Sequence, residues 1–447
     1  MLADRFGGQH SSNDPVAVAL FEDAVLGVLA HRPSVAQALD RVLAADGDFG
    51  AAHAVKGLAA IVLARGELLA PAAAALHAAR RSLAARGGTA AERCLVDVLA
   101  EAIEGRLGRA VARLDAWLAC VPEDLLAIKV AHSFRFMLGD ATGMLRASAA
   151  VLPAWSASKA GYGFVLGCHA FALEECGELS AAETTGRAAI DHQPDDAWAL
   201  HAVAHVHEMQ GCIRNGIAWL EAARPVWSRC NNFSFHMAWH LALFYLEQGR
   251  HDRVLDLYDA EVRPEPTDDF RDVANAVSLL WRLEQEGVHV GKRWEELRGI
   301  ARRRRRDTTL MFASLHYLMA LVAGGDLLAA DELVDEIGMR ARDGTGSQPD
   351  VAATVGLALA ETILGLARHR PVRTALDRLA LATPRLGGSH AQRDVFVRTL
   401  AMIAADHGDR AGCEQVMAYR GRLRREDHFA GLVTERLRLA EALPRAS

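Results

Sequence analysis

The chain lacks most of what marks a secreted, membrane-spanning or nucleotide-binding protein. Its seven cysteines (Cys94, Cys120, Cys168, Cys176, Cys212, Cys230 and Cys413) are scattered, odd in number and form no CxxC. That pattern points to free thiols in a reducing compartment. Thirteen prolines are too few for a linker-rich or disordered chain. No uninterrupted run of 18 or more apolar residues exists, so no membrane span and no membrane partner are expected. The start, MLADRFGGQHSSNDP, has no basic region ahead of an apolar core, so no signal peptide is expected. GxGxxG, GxxxxGK[ST] and GxSxG are all missing, which leaves phosphate loops and the hydrolase elbow without support. A formal charge of −6 gives no global argument for nucleic acid. The expected location is the cytoplasm.

What is present is mostly Ala, Leu and Val. Apolar residues make up 51% of the chain and aromatics only 6%, a balance that favours helix over sheet. At 447 residues the chain exceeds one ordinary core, so several domains or a repeat array is expected. Self-similarity decides for the array. Glycines that follow apolar-periodic runs recur at Gly66, Gly105, Gly139, Gly177, Gly211, Gly249, Gly287, Gly325, Gly365 and Gly408, every 34 to 43 residues. Each sits where a helix needs a left-handed stop, and a second helical pattern follows within a few residues. The unit is helix, tight turn, helix, and its length matches tetratricopeptide units. The expectation is an all-α α-solenoid of about eleven such pairs, curled as a right-handed superhelix. It spans residues 1–447 as a single repeat domain, from near Pro15 to about Leu443. Its best candidate seam is 344–349.

Histidines concentrate in one stretch, Trp198 to His240. His201 and His205 are four apart, with Glu208 three further on, and His236 and His240 are again four apart. Residues three and four apart share a helix face. With the turn glycine as position 15, Trp198, His201, His205 and Glu208 fall at positions 2, 5, 9 and 12. These positions face the concave groove of a tetratricopeptide array. Glu174 is position 12 of the preceding unit. His236, Trp239 and His240 are positions 2, 5 and 6 of the next. Ala238, Leu241, Ala242 and Tyr245 take the packing positions, as do Leu166, His169, Ala170 and Leu173 two units earlier. His169 and His207 are therefore expected in the core, and His316 in the groove with His240.

Three stretches carry a family resemblance. DAWALHAVAHVHEMQG, CNNFSFHMAWHLALFYLEQGR and GGSHAQRDVF resemble the signature stretches of the tetratricopeptide repeat protein 38 family. The resemblance implies an all-helical repeat fold across nearly the whole chain, with no settled reaction. It supports His201, His205, Glu208, His236 and His240 as important. His207 and the run Arg302–Arg306 depart from it.

The sharpest expectation is a divalent metal site for Zn, Fe or Mn. Its ligands would be His201, His205, His236 and His240, with Glu208 as carboxylate ligand. His205, Glu208 and His240 are the candidate catalytic groups. Trp198, Trp239, Glu174 and Arg393 are the candidate ligand contacts. The implied function is a small-molecule-binding protein with a pocket between residues 160 and 250. Metal-dependent hydrolysis or acid–base chemistry would work there. Metal-free acid–base work by a histidine is a softer reading, and rings packed between helices the plainest. A different class is an adaptor that holds a peptide or partner protein in the groove. Cys230 reads as a buried thiol before a nucleophile. Ser389 reads as an N-cap, with Arg393 in either a cap network or an anion site. Arg302–Arg306 reads as a solvated face.

Overall fold

Residues 2–344, 348–368, 370, 375–425 and 427–442 are described by the computed structural model. Runs rich in alanine and leucine give up little conformational freedom in a helix. The fold is accordingly all-α. Among the described residues, eleven helix pairs follow one another from Pro15 to Leu423, and His428–Ala442 adds a last helix. The exception is a short antiparallel ladder, Leu2–Ala3 against Gln9–His10.

One turn is used again and again. At Gly177 the glycine N–H donates to the Glu174 carbonyl, and the Glu178 N–H reaches back to the Leu173 carbonyl. The same two bonds close the first helix at Gly105, Gly139, Gly211, Gly249, Gly287, Gly325 and Gly408. These eight glycines have φ between 63° and 83°, where a β-carbon collides with the following carbonyl. At three turns the next residue caps the second helix. Asp140, Asp326 and Asp409 accept the N–H of Gly143, Ala329 and Gly412. Two of the ten expected turn glycines behave otherwise. Gly66 opens a short 3-10 turn, and the left-handed residue there is Ala64, φ 48°. Gly365 lies inside the helix Leu357–Ala367.

Contacts divide the chain into two compact units. One holds the residues up to Val206 together with Ala223–Phe233. Its main apolar cluster includes Phe21, Phe49 and Phe134 and reaches Val165. The other holds His207–Ala222 and the residues from Ser234 on. Within it Gly216 lies so close to Phe244 that an added β-carbon would overlap the ring, at 2.2 Å. The packing positions Ala238, Leu241 and Ala242 are buried, as are Leu166 and Ala170. Tyr245, Leu173 and His169 are only half-buried. His169 therefore lies at a core edge, with Nδ1 2.9 Å from Ser148 Oγ. His207 is buried as expected.

Arg302, Arg303 and Arg306 of the arginine run are exposed, as expected of a solvated face, and each arginine of the run faces a carboxylate. Arg302 faces Asp326, Arg303 and Arg304 face Asp268, Arg305 faces Glu332 and Arg306 faces Glu336. All seven cysteines are free thiols. Among the described residues one helix, Pro349–Ala367, is long and apolar enough to cross a membrane by length and composition, and Asp350 and Glu361 interrupt its apolar sequence. Residues 345–347, inside the expected seam, and Leu443, the expected end, lie outside the described residues.

Two Gly→Ala changes are expected to act with opposite signs. Gly249 has φ 66° and open space around it, so Gly249→Ala is purely conformational and costs about 1 kcal/mol. Gly365→Ala falls within a helix and stabilises by up to about 1 kcal/mol. Thermal denaturation followed by circular dichroism checks both: the melting temperature falls for the first and does not fall for the second.

Candidate metal centre

The first histidine pair sits on the helix Ala197–Met209. Asp196 starts that helix by accepting the Trp198 N–H at 3.0 Å. Burial pushes the Asp196 carboxyl up to about 7. One helical turn separates His201 from His205 and brings their Nε2 atoms to 2.9 Å. The exposed fractions are 1% and 0%. His205 Nδ1 lies 3.3 Å from Glu174 Oε2, and Phe171 packs on both rings. Glu174, Glu175 and His205 themselves form a buried group that could hold a cation. Trp198 packs against Phe171, His201 and Phe233, with Lys129 Nζ 4.7 Å above its ring.

The second pair sits on the helix Phe233–Glu247. His236 and His240 place their Nε2 atoms 3.2 Å apart. His240 Nδ1 is 3.1 Å from Glu208 Oε2, and His236 Nδ1 is 3.1 Å from Asn275 Oδ1. Both partners are acceptors, so both Nδ1 atoms carry the proton and donate. The two Nε2 atoms face each other across 3.2 Å, a contact that a shared proton or a cation between them satisfies. Trp239, stacked on His236, is fully buried and donates to Ser278 Oγ at 3.0 Å.

Glu208 is anchored in turn. Arg424 Nη1 lies 3.4 Å from Glu208 Oε1, and Arg424 also meets Glu247, Asp394 and Asp427. Arg420 grips Asp394 at 2.7 Å and Asp427 at 2.6 Å. Burial opposes a charge on Asp394, yet Arg420 and Arg424 hold its carboxyl well below the usual range. Burial pushes the Arg282 guanidinium down to about 9, with Asp394 opposing the shift.

One nitrogen of each of His201, His205, His236 and His240 lies within 4.8 Å of the others, and all four side chains are buried. This histidine grouping could hold a metal ion. Imidazoles that use Nδ1 on a carboxylate or amide and leave Nε2 for the ion are the usual arrangement of metal-binding histidines. Several expectations need correction. Glu208 is no member of the four-nitrogen grouping; its carboxylate is committed to His240 Nδ1 and Arg424. The stripe was expected to face a groove, and its side chains are buried. Trp198, Trp239, Glu174 and the histidines are all buried, because ring packing and the acids behind them close over the stripe. His316 is buried too, with Nδ1 donating to the Phe312 carbonyl at 2.8 Å; burial pushes it down to about 4. Arg393 turns back on its own loop, donating to the Gly388 carbonyl and His390 Nδ1, beside the Ser389–Gln392 capping box. Burial raises the Cys230 thiol to about 11, which keeps it protonated at neutral pH.

Asn275, Arg424 and Asp427 carried no sequence signal. Asp394 did lie inside the GGSHAQRDVF stretch. No protein-family model matches the chain.

Asp394→Asn removes the charge between buried guanidiniums and is expected to cost about 3–5 kcal/mol at neutral pH. Asp394 is depressed in the fold, so its contribution is complete above the unfolded carboxyl value of about 3.9 and is lost as pH falls below it. Melting temperatures across pH 2–7 check this: the difference between wild type and variant shrinks below about pH 4.

Proposed function

We propose that this is a metal-binding repeat protein whose ion is held by His201, His205, His236 and His240. The observation that carries the reading is the grouping itself, four buried histidines with one nitrogen each within 4.8 Å of the others. Four neutral imidazoles suit borderline first-row ions and not magnesium or calcium. Zinc and iron fit best; manganese binds nitrogen more weakly. The charge of a divalent ion is answered by two buried carboxylates, Glu174 behind His205 and Glu208 behind His240. Glu208 fixes the tautomer of His240 and raises its basicity.

His201, His205, His236 and His240 would hold the ion, and a bound ion would supply Lewis-acid chemistry for hydrolytic or acid–base work on a small molecule. The adaptor reading is the weaker one, since the stripe that would grip a peptide is buried. Kinship with the tetratricopeptide repeat protein 38 family and a cytoplasmic location belong to the same proposal. The three signature stretches and the eight-fold turn support the first, and seven free thiols the second.

Elemental analysis of the protein, purified without chelator, should find about one transition-metal ion per chain. The His201→Ala/His240→Ala variant should contain less than a tenth of that. Dialysis at pH 5 should release the ion from wild type, because protonated imidazoles cannot bind it. A metal-free wild type, or a variant that keeps its metal, contradicts the proposal.

A further inference from the structure

Glu174, Glu175 and His205 lie wholly within the unit that begins the chain. Two helices bring them together. Tyr162–Glu175 carries both acids in its last turn, just before the stop at Gly177. Ala197–Met209 carries His205. Glu174 Oε2 lies 3.3 Å from His205 Nδ1. One ligand atom of each of the three residues lies within 4.8 Å of the others. The exposed fractions are 1% for Glu174, 5% for Glu175 and 0% for His205. Phe171 packs edge-on against the His205 ring at 5.5 Å and fixes its orientation.

Three features point to a divalent cation. Consecutive residues leave a helix in different directions, yet an oxygen of Glu174 and one of Glu175 converge within 4.8 Å. Two carboxylates brought so close in a buried place repel, and a cation between them removes that cost. Both also sit at the negative end of their helix, whose last turn holds no basic residue, and that end favours positive charge. The third donor is an imidazole from another helix, which makes a mixed oxygen and nitrogen set. Such a set suits manganese or ferrous iron better than the all-oxygen ions.

His205 has a nitrogen for each grouping. Its Nε2 faces His201 Nε2 at 2.9 Å, and its Nδ1 faces Glu174.

We propose that Glu174, Glu175 and His205 Nδ1 hold a second divalent cation, manganese or ferrous iron, beside the ion of the histidine grouping. This deepens the reading above and rests on it to the extent that His205 serves both sites. With both nitrogens on ions the ring is an imidazolate, and its proton leaves to solvent as the second ion binds. Three protein ligands hold an ion less firmly than four. The second ion is therefore the one that purification loses and added metal restores.

Electron paramagnetic resonance on the full chain, purified with its resident ion, counts the Mn2+ it takes up. One Mn2+ per chain should bind with a Kd below about 100 µM. Its spin-echo modulation should show an imidazole nitrogen. Glu175→Gln should weaken this Mn2+ by about tenfold or more and leave the resident ion in place. No Mn2+ bound at about 1 mM, bound Mn2+ without nitrogen modulation, or unchanged affinity in a folded Glu175→Gln variant overturns the proposal. The first two outcomes are read on the wild type and decide the matter if the variant does not fold. Elemental analysis of the same samples reports on the histidine grouping by itself. A resident ion without added Mn2+ sinks the second site alone, and Mn2+ sensitive to Glu175→Gln without a resident ion sinks the first alone.

Discussion

The candidate centre depends on one constraint: four buried histidines place one nitrogen each within 4.8 Å of the others. Glu208 and Asn275 set the protons of His240 and His236 on the outward nitrogens. Glu208 is in turn held by Arg424, and Arg424 by Asp394, Asp427 and Glu247. None of these charges is affordable singly in a buried setting; together they satisfy one another. Glu208 therefore acts on the candidate metal through His240. Glu174 lies 3.3 Å from His205 Nδ1.

The turn sets the frame in which this happens. Eight first helices end with the same pair of backbone bonds around a left-handed glycine. A side chain's place on its helix is then counted from that glycine. His201 and His205 precede Gly211 by ten and six residues, and His236 and His240 precede Gly249 by thirteen and nine. An i, i+4 pair placed on such a helix presents two nitrogens one turn apart. The repeat supplies the geometry, and the histidines supply the chemistry.

The fold was readable because its signals are local. A glycine with positive φ after an apolar run announces itself in the chain, as Gly177 and Gly249 do. Gly66 and Gly365 mislead because glycine inside or beside a helix costs only about 1 kcal/mol and is tolerated there. The histidine pairs were readable for the same reason, since their spacing of four is a helix property. Their burial was not. Repeat geometry assigns positions 2, 5, 9 and 12 to a groove, whereas Glu174 is more buried than its apolar neighbour Leu173. The outer partners were invisible as well. Arg424 stands 216 positions from Glu208, and no local pattern links them.

X-ray absorption at the edge of whichever metal copurifies tests the account most directly, because it reads the ligand atoms themselves. The account predicts a first shell dominated by about four nitrogens near 2.0–2.1 Å for zinc, with the outer-shell scattering of imidazole rings. A first shell made of oxygen or sulfur, without imidazole scattering, would contradict it.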